Sequence, residues 1–412
     1  MRIVPRKQTT ILGRKSLWIG LFMSLTPRAA PLRPQRTLAA AGLAHALHDG
    51  LTDMVYVLLP LWQTEFGLGY GVLALLRGLY AGSMAVFQVP ASRLSRRLGS
   101  RNLLVGGTVV TALGYALAGW SGGFFGLAAS LVLAGLGAST QHPLASAAVS
   151  RAYGASSRSA LGIYNFAGDV GKALLPGILS LLLTVWTWRP SLLLMAATAL
   201  AAAGLLALLL PAAQAALPTK QAARAGQGRG GFGLLLTIGI LDSGVRMGLL
   251  TFLPFLLQEK GAPLPTVGLA LGLVFMGGAA GKFICGWLSQ RLGVLGTVLT
   301  TEGGTALAIG AVMVLPLTPT MVLLPLLGAM LNGTSSALYG TVPDLTPPHK
   351  IEHAFALFYL GNIGSGALSP VLFGVLGDWA GIHWGTAATA LAALATCPLA
   401  ILLTRHLPRK AP

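Results

Sequence analysis

Apolar residues fill the chain in long blocks from about Thr37 to Leu403, separated by short polar breaks. Segments such as Leu192 to Leu210 do not alternate in polarity. Strands of a membrane barrel would need such alternation over about ten residues, so the blocks read as helices. Each runs near the roughly 20 residues that carry a helix across a bilayer. The pattern predicts twelve spans, at 38–61, 68–91, 102–120, 124–149, 159–184, 190–211, 232–257, 265–288, 295–316, 319–342, 353–377 and 383–404. The breaks carry turn formers: Gly67-Leu68-Gly69, Ser121-Gly122-Gly123, Thr318-Pro319 and Pro347-Pro348. An all-α polytopic membrane protein is expected.

Composition agrees. Of 412 residues only 9% are charged and 54% are hydrophobic, against roughly 25% charged in soluble proteins. The 55 glycines suit membrane helices, whose backbones approach closely where side chains are small. Cys285 and Cys397 both fall in apolar blocks without metal-ligand spacing, so they read as small hydrophobes.

A net charge of +18 invites a nucleic-acid reading, but a nucleic-acid binder gathers its basic residues on one face of a soluble domain. Here they sit in the breaks. Arg2, Arg6, Lys7, Arg14, Lys15, Arg28, Arg33 and Arg36 precede the first span, and Arg405, Arg409 and Lys410 follow the last. Arg93, Arg96, Arg97, Arg101, Arg151, Arg158, Lys220, Arg224, Arg229, Arg291 and Lys350 lie in loops on the same side. The opposite side holds only Arg189 and Lys260. Positive loops face the cytoplasm, so both termini are expected there, with the chain in the inner (plasma) membrane. Ser16 to Leu25 is a short apolar run after basic residues, too short to span. It reads as part of a basic arm, or as an over-extended start with Met23 as the initiator.

The chain repeats itself at an offset of 194 residues. Leu59-Pro60, Glu65 and Gly67 match Leu253-Pro254, Glu259 and Gly261, and Gly50 matches Gly244. Leu94-Ser95, Arg97-Leu98 and Gly99 match Leu288-Ser289, Arg291-Leu292 and Gly293. Two pseudo-symmetric six-helix bundles are therefore expected at 38–211 and 232–404, with a basic arm at 1–37, a linker at 212–231 and a tail at 405–412. Parallel halves of this kind are the layout of major facilitator transporters. The chain resembles that superfamily in its gating-loop motif, G-x-L-x-D-R-x-G-R. The motif reads Gly286-Trp287-Leu288-Ser289-Gln290-Arg291-Leu292-Gly293 in the second half. In the first it reads Ser92-Arg93-Leu94-Ser95-Arg96-Arg97-Leu98-Gly99-Ser100-Arg101. Both copies lack the acid, which puts its gating role in doubt. Within the superfamily the chain is similar to the fosmidomycin-resistance type of efflux carrier. The residues that carry this are His45-Ala46-Leu47-His48-Asp49, Leu59 to Phe66, Gly135 to Pro143 and Phe166 to Gly171 with Pro176-Gly177. The resemblance implies a secondary transporter, working as a monomer, that exports a small organic molecule.

Asp49, Asp53, Arg77, Asp169, Lys172, Asp242, Arg246, Lys282 and Glu302 fall within spans. Each would cost roughly 2.5–3.5 kcal/mol at mid-span, so they must pair or face water. His45, Asp49 and Asp53 share one stripe of the first span, at i, i+4 and i+8. Two carboxylates one turn apart hold a proton as a unit, which makes them candidates for proton coupling; His45 and Asp49 bridging helices is the alternative. Asn165, Asp169 and Lys172 form a stripe on the fifth span, with the last two placed to neutralise each other or to bridge helices, whereas span eleven offers only Asn362 and Ser365. Asp242 and Arg246 read as a local ion pair. Arg77 needs a partner on another helix, Asp49 or Asp53. Lys282 is expected to snorkel, and Glu302 has no evident partner. His142-Pro143 predicts a kink, with His142 either offered to the cavity or satisfied within the fold. No phosphate-binding G-x-x-x-x-G-K-[ST] loop, metal-ligand cluster or catalytic triad stands out, so neither a cofactor nor enzyme activity is expected. Proton-coupled export leads. Uptake of an anionic metabolite, with Arg77, Lys172 and Arg246 as ligands, and a non-transporting sensor or assembly factor remain as rivals.

Overall fold

The computed structural model describes residues 34–210, 231–347 and 351–407. The Ser16–Leu25 run with Met23, all but the last residue of the expected linker and the end of the expected tail lie outside them. The described chain is helical: α1 (Pro34–Phe66), α2 (Tyr70–Leu98), α3 (Ser100–Gly119), α4 (Phe124–Ala138), α5 (Gln141–Tyr153), α6 (Ser157–Leu182) and α7 (Trp188–Leu209) form the first part. The second comprises α8 (Phe232–Glu259), α9 (Leu264–Val314), α10 (Leu317–Leu345), α11 (Ile351–Ala380) and α12 (Ile382–Leu403).

Two departures from the expected spans have local causes. The fourth span is broken at Ser139-Thr140 into α4 and α5, where Thr140 N–H bonds back to Gly137 O at 3.4 Å. Pro143 then sits in the first turn of α5, where its missing N–H leaves no donor unpaired. Spans eight and nine run on as α9, bent at Gly293, whose φ of 71° suits glycine. Gly99, its partner in the repeat, separates α2 from α3 with φ 82°.

The repeat also recurs in contacts that the sequence did not suggest. Arg189 at the start of α7 donates to Glu65 at 2.5 Å, and His383 at the start of α12 meets Glu259 at 3.0 Å. Both partners of the second pair lie 194 residues after those of the first.

Ten helical stretches among the described residues are long and apolar enough to cross a membrane. α1 and α6 are not among them, and these are the helices that carry His45, His48, Asp49, Asp53, Asn165, Asp169 and Lys172. Helix packing buries His45, His48, Asp49, Asp53 and Asp169 instead. Gly50 and Gly171 let α1 and α6 touch backbone to backbone: a Cβ on Gly50 would lie 2.7 Å from Gly171 O, and one on Gly171 would overlap Ala46 O.

The core differs between the two ends of the molecule. On the side away from the termini, one apolar cluster joins both parts, from Leu51–Leu59 and Leu73 to Leu249–Leu257 and Val267–Val274. Toward the termini it divides into two separate clusters, one around Leu104, Val149 and Leu206, the other around Leu235, Val342 and Leu403. The halves are therefore packed together at one end and parted at the other.

Candidate functional site

The parted end leads into a cavity of about 540 Å³ between the halves. From the first half it is lined by His48, Asp49, Thr52, Asp53, Arg77, Gln88, His142, Tyr164, Asn165, Asp169 and Lys172. Ser243, Arg246, Met247, Asn332, Tyr339, Tyr359 and Asn362 line it from the second. Of the expected cavity residues, Asp242 alone stands behind the wall. His45 lies behind Asp49 and does not reach the lining.

The ion pairs differ from several expectations. Asp49 and Asp53 do lie on one stripe, but each has its own cation. Lys172 Nζ is 3.2 Å from Asp49, and Arg77 donates to Asp53 at 3.3 Å. Arg77 is further held by the faces of Tyr56 and Tyr80, at 5.0 and 5.6 Å. In this state the charge of each aspartate is balanced by its own cation. Lys172 does not neutralise Asp169 one turn away; it crosses to α1. Asp169 is taken instead by Lys282 from α9, at 2.6 and 2.8 Å, so Lys282 bridges the halves and does not snorkel. A helix surface brings residues three and four apart together, but long basic side chains reach equally well to a neighbouring helix.

Asp242 and Arg246 pair as expected, at 3.4 Å. Glu302 finds its partners here: it accepts from Thr334 Oγ1 at 2.6 Å, and its carboxyl lies within hydrogen-bonding reach of that of Asp242. Ser335 adds a 3.4 Å bond to Asp242. Both carboxyls are buried, at 3% and 2% exposure; Asp242 pairs with Arg246, while Glu302 Oε2 is buried without a hydrogen-bond partner. Asn362 donates to Tyr339 OH at 3.3 Å.

His142 does turn into the cavity, but not as an isolated polar group. With His45 and His48 it surrounds Asp49, the imidazole Nε2 atoms lying 3.6, 3.3 and 3.8 Å from its oxygens. The expectation of no metal-ligand cluster overlooked this grouping, because His142 comes from another helix. Of the gating-loop residues, Arg97, Gly99, Arg101, Arg291 and Gly293 lie away from the cavity lining. Arg101 donates to Ala207 O, and Arg291 stacks 4.4 Å over Trp287. Among the described residues neither Arg97 nor Arg291 has a carboxylate partner, in keeping with the missing acid.

The closed end is latched by Asp378. Its carboxylate, at the end of α11, accepts the Tyr70 and Gly71 N–H groups at the start of α2, at 2.5 and 2.9 Å. This caps one half's helix with the other half's acid, where the helix dipole favours negative charge. Asp378→Asn is expected to weaken the latch by about 1 kcal/mol, roughly fivefold in the closed-to-open ratio. A Met247→Cys reporter in a Cys285→Ser, Cys397→Ser background would register this as faster labelling by an impermeant thiol reagent applied at the closed side. An unchanged rate in folded protein would show that the cap does not hold that side shut.

A cavity between two repeated bundles, sealed at one end, is the working geometry of an alternating-access carrier. The family profile of the Major Facilitator Superfamily matches residues 41–241 and again 234–412. The chain belongs to the major facilitator superfamily. Its relatives there are transporters, not enzymes. Human monocarboxylate transporter 11 is 26% identical over 309 residues, which cover 70% of this chain and 65% of that one. The chain thus spans a little under two thirds of that relative's length. Among solved structures the fold is similar to a bacterial homologue of the human lysosomal transporter Spinster, inward-facing and unoccupied. That match has a TM-score of 0.76 at 16% identity and covers 92% of this chain and 99% of the other. A POT family transporter in complex with 5-aminolevulinic acid matches with a TM-score of 0.74 at 13% identity, covering 90% and 96%. This major facilitator protein is therefore a multi-pass membrane protein.

Proposed function

We propose that the chain is a proton-coupled secondary transporter of small organic molecules bearing a carboxylate, open to the cytoplasm in the state described. The observation that carries this reading is the arrangement around Arg246, which faces the cavity while Asp242 pairs with it from behind and Glu302 lies next to Asp242. Arg246 gives one N–H to Ser335 and one to Asp242 and keeps 19% of its side chain exposed, so the guanidinium has donors left for a substrate carboxylate. When a substrate draws on that charge, the two buried acids lose their counter-ion and hold a proton between them. Facing the acids are Arg246 from α8, Thr334, Ser335 and Tyr339 from α10, and Cys397 from α12. Arg246 is the one cation among them. Proton and anion then cross together or are exchanged against one another. The relative named as a monocarboxylate transporter and the neighbour that binds 5-aminolevulinic acid support a carboxylate-bearing substrate. Export finds support in the residues shared with fosmidomycin-resistance carriers, and a cytoplasmic opening in the basic loops on the side of the termini.

The test is transport in proteoliposomes with an imposed pH gradient and a panel of monocarboxylates and amino acids. Accumulation driven by the gradient supports the proposal, and the polarity that drives it separates symport from exchange. Carboxylate flux indifferent to the gradient would overturn the coupling. No flux above protein-free liposomes would overturn the substrate class.

A further inference from the structure

We propose that His45, His48, His142 and Asp49 form a binding site for a divalent transition-metal ion of the zinc class in the cavity wall. Metal–nitrogen and metal–oxygen bonds of about 2.0–2.2 Å place tetrahedral donors about 3.3–3.5 Å apart. The gaps from the three imidazole Nε2 atoms to the Asp49 oxygens are 3.3, 3.6 and 3.8 Å. The donor atoms of His45, Asp49 and His142 all lie within 4.8 Å of one another. Rotation of the partly exposed His142 ring and an inward shift of His48 Nε2 close the set around one ion. Three imidazoles and one carboxylate suit zinc, nickel, cobalt or copper, and not magnesium or calcium, which take oxygen donors.

Three further features favour an ion over a merely hydrogen-bonded cluster. His45 Nδ1 is 2.9 Å from the Tyr164 carbonyl oxygen. That bond places the proton on Nδ1 and leaves the Nε2 lone pair facing Asp49, the outer-shell arrangement that orients metal-bound histidines. His48 Nε2 is buried and has no hydrogen-bond partner. Gly168 of α6 lies against the pair, and a Cβ there would come 2.7 Å from His45 Cε1 and 2.8 Å from Asp49 Oδ2. An ion has an access route because the His142 side chain is 41% exposed on the cavity side.

The competitor is internal. Lys172 Nζ, 3.2 Å from Asp49 Oδ2, occupies the position of a cation, and its side chain is 30% exposed. A metal ion binds by displacing the ammonium toward the open cavity. The site therefore responds oppositely to the loss of a ligand and to the loss of Lys172.

The experiment uses the full chain purified in detergent, freed of metal with a chelator, and titrated with Zn2+ by calorimetry and with Co2+ by visible absorption. The expected result is one saturable equivalent of each ion and the intense ligand-field bands of four-coordinate cobalt. His142→Ala, at the cavity face, should weaken binding at least tenfold. Lys172→Met should tighten it by a similar factor, and His383→Ala should leave it unchanged. Size-exclusion profiles and helical circular dichroism confirm that each variant is folded. Absence of saturable binding, full affinity in a His48→Ala, His142→Ala double variant, weaker binding in Lys172→Met, or weak six-coordinate cobalt bands would each overturn the assignment. None of these readouts depends on which organic substrate is carried.

Discussion

Glu302→Gln is expected to abolish pH-driven accumulation while leaving substrate counterflow within about twofold of the parent rate. Glutamine preserves the shape of the side chain and the bond from Thr334, but it cannot exchange a proton with Asp242. Arg246 is left paired with one permanent carboxylate, so the cavity still binds substrate and the halves still alternate. Gradient-driven flux should fall at least a hundredfold, because Asp242 stays paired with Arg246 and the other cavity acids have cations of their own. Asp53 is tied to Arg77 at 3.3 Å, and Asp169 to Lys282 at 2.6 Å. The measurement is both rates in one reconstituted preparation, normalised to folded protein. Equal loss of the two would assign Glu302 a structural role. Retention of both would remove the acid pair from coupling.

Gly171→Ala should collapse the yield of folded transporter. The new methyl group would overlap the Ala46 carbonyl oxygen, and that obstacle is backbone, so no rotamer change relieves it. An added methylene in a tight core costs typically 1–3 kcal/mol. A contact between two helix backbones lies at the upper end, since relief requires α1 and α6 to separate. Those helices hold Asp49 and Lys172, and separating them breaks that ion pair as well. The control is Gly162→Ala on the same helix, where an added Cβ has nothing within 4 Å. The expected outcome is a thermal midpoint lower by at least 5 °C for Gly171→Ala, against about 2–4 °C per kcal/mol in domains of 150–250 residues. For Gly162→Ala no loss is expected. Equal midpoints for the two variants would show that the α1–α6 contact has slack.

The all-helical membrane character and the internal repeat were legible because both are written in local patterns. Apolar blocks of bilayer length need no knowledge of neighbours. Gly99 and Gly293 can be matched by position before either positive φ is seen. Most of the cavity residues were legible too, since a charge in an apolar span must face a partner or water. The pairing was less so. Asp169 and Lys172 sit one turn apart, which suggested a local pair, yet Lys172 reaches Asp49 and Lys282 takes Asp169. Glu302 had no visible partner because its partners, Asp242 and Thr334, lie on two other helices.

The sequence by itself determined that this protein lies in a membrane as helices, that it is built twice over, and that its charged residues cluster in the first, fifth and seventh spans. Helical periodicity and hydrophobic length are properties of one segment, so one segment suffices to read them. Only the tertiary structure decided which charges meet, which end of the cavity is sealed, and that three histidines converge on Asp49. A stripe on a helix specifies a direction around its own axis, not the helix that will stand opposite. That neighbour is set by backbone contacts such as Gly50 against Gly171, whose consequences appear only when both helices are in place.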